Sequence, residues 1–70
     1  MTYQQPEISL EALRILRGYT QKALGDAINK DPSTIIRWES GKTSPKIDDY
    51  YKIKNILDPG NEFFLQIKSS

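Results

Sequence analysis

TQKALGDAINKDPSTIIRWESG, residues 20–41, carries the signals of two short helices joined by a tight turn. The Thr20 hydroxyl can cap the free amides of the opening turn. Ala23, Leu24, Ala27 and Ile28 then recur at helical spacing on one side. Asn29 and Lys30 form the turn, because Asn, after Gly, adopts the left-handed conformation that ends a helix most readily. Asp31 caps the second helix, and Pro32 takes its first position, where a missing amide hydrogen costs nothing. Ile35 and Trp38 face inward, Ser33, Thr34 and Arg37 face outward, and Gly41 stops the helix. This is the layout of a helix-turn-helix unit. Two small hydroxyls and an arginine at the front of a short capped helix suit contact with phosphates and base edges in a major groove.

Thr20-Gln21, Ala23-Leu24, Ser33-Thr34-Ile35, Arg37-Trp38-Glu39, Gly41-Lys42 and Pro45 resemble, in residue and spacing, the Cro/repressor-type (XRE-like) helix-turn-helix regulators of bacteria and phages. The resemblance covers roughly Leu10 to Leu57. It implies an all-α fold, a compact lambda-repressor-like bundle of four to five helices, with residues 8–68 as one domain and the motif at 20–41. It further implies that Gln21 contacts phosphate, that the face carrying Pro32, Ser33 and Arg37 reads bases, and that Arg14 and Glu39 form a structural pair. Trp38 is the large aromatic of the expected core.

Seventy residues make one domain, near the lower limit for folding without staples, since such a domain buries only about 60% of its unfolded surface. Cysteine and histidine are both absent. That excludes disulfides and cysteine zinc sites, and removes the commonest general base and metal ligand, so neither an enzyme, a metal nor a cofactor is expected. The nine carboxylates form no obvious inward-facing pair. Net charge is +1, but Lys22, Lys30, Arg37, Lys42 and Lys46 lie within or beside the motif, while Glu7, Glu11, Asp48, Asp49, Asp58 and Glu62 lie outside it. No apolar run approaches a membrane span, and Met1 to Pro6 lacks the features of a secretion signal, so a cytoplasmic location is expected.

Residues 1–7 read as a flexible tail. Ser9 caps a first helix that runs to about Arg17 and is ended by Gly18. Leu10, Leu13 and Arg14 point toward the motif. On the opposite side Ile8, Ala12, Ile15 and Leu16 present apolar surface. Either the C-terminal segment folds over this surface or another protein docks on it. Ser44 caps a fourth helix, with Pro45 first and Asp48 and Asp49 near the positive end of its dipole. Ile47, Tyr50, Ile53, Ile56 and Leu57 should pack on the motif. Tyr50 and Tyr51 point about 100° apart and cannot make one stacking surface. Asp58-Pro59-Gly60-Asn61 is a break. Beyond it, Phe63, Phe64 and Ile67 are spaced for a short fifth helix, with a strand as the alternative. Phe63 and Phe64 either roof the core or form a dimer contact.

Some positions depart from the family pattern. Pro32 has no side-chain donor or acceptor, so direct readout falls on Ser33 and Arg37, with Gln21, Thr34 and Lys42 on phosphates. Ile36 adds an apolar group near the reading face, Lys30 stands where a small aliphatic residue is usual, and Gly25, in place of alanine, is expected to loosen the motif. Two functions follow. One is a repressor/Cro-like regulator that binds double-stranded operator DNA, as a homodimer. The other is a phage-type modulator or antirepressor that binds a second repressor through Ile8, Ala12, Ile15 and Leu16. No membrane or small-molecule partner is indicated.

Overall fold

A computed structural model describes residues 4–68. The order is β1 (Glu7–Ser9), α1 (Leu10–Leu16), α2 (Gln21–Ile28), α3 (Pro32–Ser40), α4 (Ile47–Leu57) and β2 (Phe64–Gln66). Four helices make the body, as expected of an all-α domain, and the two short strands form a parallel pair at its edge. No helix among the described residues is long and apolar enough to cross a membrane.

Each of the first three helices starts where a side chain can replace a missing backbone acceptor. Ser9 Oγ accepts from Ala12 N at 3.1 Å, Thr20 Oγ1 from Ala23 N at 2.9 Å and Asp31 Oδ1 from Ser33 N at 2.9 Å. Their ends follow the expected residues too. Gly18, Asn29 and Gly41 take φ of 79°, 60° and 84°, the left-handed region that turns the chain. Leu13, Leu24, Ile35, Ile53 and Leu57, one or two from each helix, are fully buried, and Trp38 is 5% exposed beside them.

Four expectations are corrected. First, α4 begins at Ile47, with Lys46 at its N-cap and no side-chain cap bond. The Ser44 hydroxyl instead donates to Lys68 O at 3.3 Å, tying down the C-terminal segment, while Asp48 and Asp49 still supply negative charge in the first turn. Second, the C-terminal segment is strand rather than fifth helix. Phe63, Leu65 and Ile67 turn inward and Phe64, Gln66 and Lys68 outward, the period of two proper to a strand. Third, Glu7, assigned to the tail, pairs with Phe64, followed by Ile8 with Leu65 and Ser9 with Gln66. Residues 1–3 of that tail lie outside the described residues.

The fourth correction concerns Gly25. A Cβ built there would stand 2.5 Å from the carbonyl oxygen of Lys30, which accompanies the turn's own bond from Lys30 N to Gly25 O at 2.8 Å. Glycine therefore permits the tight turn rather than loosening it. Lys30 in turn places its ammonium 3.5 Å from the buried Asp49 carboxylate, joining the turn to α4.

The segment between α4 and β2 is organised by Asp58, 2% exposed. Its carboxylate accepts from Lys54 Nζ at 2.8 Å, Glu62 N at 2.8 Å and Phe63 N at 2.9 Å. Arg17 Nη2 stands 3.6 Å away. Burial alone would push the Asp58 pKa up, but the hydrogen bonds from Lys54 and the two amides outweigh it and hold the carboxyl down to about 2, against an ordinary 3.8.

Because the folded value lies below the unfolded one, this stabilisation is complete above about pH 4 and is lost as pH falls toward about 2. Asp58→Asn should therefore destabilise the domain by about 2–3 kcal/mol in urea unfolding at neutral pH, with the difference shrinking near pH 2. Gly25→Ala, although alanine is the better helix former, should lower stability by about 1–3 kcal/mol through the clash with Lys30 O, read as a fall in thermal midpoint.

Candidate nucleic-acid interface

The two faces of α3 divide by chemistry. Ile35, Trp38 and Glu39 are buried, and Ser33, Ile36, Arg37 and Ser40 are exposed, with Pro32 and Thr34 half-buried at the front. Pro32 occupies the first turn without loss, because Asp31 already caps the amide that follows it. The Ser33 hydroxyl, then its amide, hold the Asp31 carboxyl below its ordinary range, and the nearby Arg37 charge adds to this. The Ser33 amide donates to Asp31 Oδ1 at 2.9 Å at the entrance of the helix.

The position of α3 against α1 and α2 rests on Glu39, 6% exposed. Arg14 donates Nε to Glu39 Oε2 at 2.6 Å and Nη2 to Oε1 at 3.2 Å, while its Nη1 holds Tyr19 O at 2.8 Å. Gln21 Nε2 adds a bond to Glu39 Oε1 at 3.1 Å. A buried carboxylate is tolerated when its lone pairs are satisfied, and a two-pronged arginine does so with fixed geometry. Arg14 and Glu39 therefore meet as the family pattern implies. Gln21, half-buried, uses one of its two amide hydrogens inward and keeps a second.

Past α3 the chain folds back on its last turn. The Arg37 carbonyl accepts from Lys42 N at 3.0 Å, Thr43 N at 3.5 Å and the Ser40 hydroxyl at 3.1 Å. Lys42 is therefore brought next to α3 with its side chain exposed. The basic patch read from the sequence contracts, since Lys22 pairs with Asp26 at 3.0 Å and Lys30 with Asp49 at 3.5 Å. Arg37, Lys42 and Lys46 keep their charge unpaired among the described residues.

The apolar candidates separate into two groups. Ile8 packs half-buried against the core in β1, and Phe63 does likewise with the Arg17 guanidinium 5.8 Å over its ring. The C-terminal strand covers that part of the surface. It leaves Ala12 exposed, along with Ile15 at 59%, Leu16 at 57% and, on β2 itself, Phe64 at 53%. The Tyr50 and Tyr51 rings meet edge-on at 80°, in keeping with their expected divergence. Sequence reasoning missed the roles of Asp58, Lys54 and Arg17. The four-residue spacing of Lys54 and Asp58 was the available signal.

A family model described as helix-turn-helix matches residues 10–58, from the first residue of α1 to the residue that closes α4. Comparison with curated proteins and with solved structures gives no significant match. The family match spans more than half of the chain, and with the capped α2–turn–α3 geometry it establishes that the chain belongs to the Cro/XRE-type helix-turn-helix family of DNA-binding transcription regulators.

Proposed function

We propose that the protein is a repressor/Cro-like regulator that reads an operator with α3. The observation that carries this reading is the exposed outer side of α3, with Ser33 and Arg37, beside a loop whose lysines have no carboxylate partner among the described residues. In this reading Arg37 and Ser33 contact base edges, and Thr34, Lys42 and the free amide hydrogen of Gln21 hold phosphates on either side. Pro32 packs against the backbone without hydrogen bonding. A single arginine offers little discrimination alone, so the protein acts as a symmetric dimer on two half-sites about one helical turn apart. Phe64, exposed on the outward face of β2, is the contact assigned to that dimer.

A second reading has its own observation, the exposure of Ile15 and Leu16 on α1. There the protein is a modulator that grips another repressor through Ala12, Ile15 and Leu16, with Ile8 at the margin.

One experiment separates them: binding of the purified protein to fragments of the promoter beside its own gene, with and without any neighbouring regulator. Arg37→Ala should weaken binding by about 1–3 kcal/mol, roughly 5- to 150-fold, and Ile15→Glu with Leu16→Glu should leave the monomer's contacts with DNA intact. If the protein alone binds no DNA but alters the neighbour's binding, and the double glutamate variant abolishes that effect, the modulator reading replaces the first.

A further inference from the structure

Ten lysines and arginines carry the positive charge of the chain, and the structure divides them in half. Arg14, Arg17, Lys22, Lys30 and Lys54 each stand at ion-pairing distance from a carboxylate. Among the described residues, Arg37, Lys42, Lys46, Lys52 and Lys68 do not. Four of these five belong to, or touch, the single segment 37–46. Arg37 and Lys42 are joined through the backbone at 3.0 Å, and Lys46 opens α4. Lys68 arrives from the far end of the chain. A Cβ at Gly41 would stand 3.3 Å from Lys68 Cβ and 3.9 Å from its Cδ, so the aliphatic stem lies along the glycine. The Ser44 hydroxyl holds Lys68 O at 3.3 Å.

We propose that Lys68 binds a DNA backbone phosphate next to the one taken by Lys42, so that the segment following β2 supplies a contact from outside the matched helix-turn-helix region; this rests on the DNA reading above. Three features support it. The stem is anchored on Gly41 while the residue remains exposed, the arrangement that leaves an ammonium in solvent at a defined place. The loop gathers lysines that have no carboxylate partner among the described residues, and one of them, Lys46, sits at the positive end of α4, where a cation is unfavourable. A polyanion relieves that repulsion. Finally, a reading face with few hydrogen-bonding groups depends for affinity on phosphate contacts, which any sequence provides. The pairing of β1 with β2 then has a second consequence, since it holds the strand that delivers Lys68.

The test is anisotropy of a labelled, short mixed-sequence DNA duplex titrated with the full chain over a range of salt. Each neutralised phosphate adds about 0.9 to the slope of log affinity against log salt. Lys68→Ala should lower the slope by about one and weaken low-salt binding severalfold. Lys68→Gln, which keeps the stem on Gly41, should do the same, and Lys52→Ala should change neither. Unaltered slopes in both Lys68 variants, with a lowered slope in Lys42→Ala, would overturn the proposal and leave the DNA reading standing. A lowered slope in Lys68→Ala but not in Lys68→Gln would assign the effect to packing and overturn it as well. If the unaltered protein shows no salt-dependent binding, this proposal and the DNA reading fall together.

Discussion

Glu39 lies on the inward side of the very helix whose outward side meets solvent, and its carboxylate is held by α1 through Arg14 and by α2 through Gln21. Removing a charge from water in a domain this small is tolerable only because both oxygens are engaged. The same bonds fix how α3 sits on its neighbours. Apolar contacts at Ile35 and Trp38 hold the helix down but are insensitive to small rotations, whereas a two-pronged ion pair is not. The orientation of Ser33 and Arg37 toward solvent follows from that pair.

A second polar centre does comparable work where the chain passes from α4 to β2. Asp58 gathers Lys54, Arg17 and two backbone amides, and so fixes where the chain leaves α4 and enters β2. With β2 in place, Leu65 enters the core at 2% exposure and Ile8 is drawn in opposite it. The helix-turn-helix region alone would leave this end of the core open. The parallel pair closes it with three residues from each strand, while the outer surface of α1 at Ile15 and Leu16 stays free.

What could be read from the sequence was what depends on near neighbours. Ser9, Thr20 and Asp31 cap helices and Gly18, Asn29 and Gly41 end them, because each does so through atoms two to four residues away. Arg14 and Glu39, distant in the chain, were legible only through the family pattern. The misreadings share a cause in long-range contact. Phe63 and Ile67 lie four apart and fit a helix or a strand equally, and the decision falls to Leu65 and to pairing with Ile8. Ser44 is a sound cap by local rules but is recruited by Lys68, twenty-four residues on. Gly25 looks like a weak helix residue until the Lys30 carbonyl is placed against it. Lys22 and Lys30 counted toward a basic patch until their carboxylate partners were known.

Among the described residues, the cationic charge without an ion-pair partner is concentrated at the end of α3 and in the loop behind it, where the proposed DNA contact lies. Amide chemical shifts of the labelled protein, followed while a short DNA duplex is added at low salt, test it most directly. The changes should map to residues 31–46, to Gln21 and to Lys68, and should vanish when salt is raised. Changes centred instead on Ala12, Ile15 and Leu16, or none at any salt concentration, would contradict it.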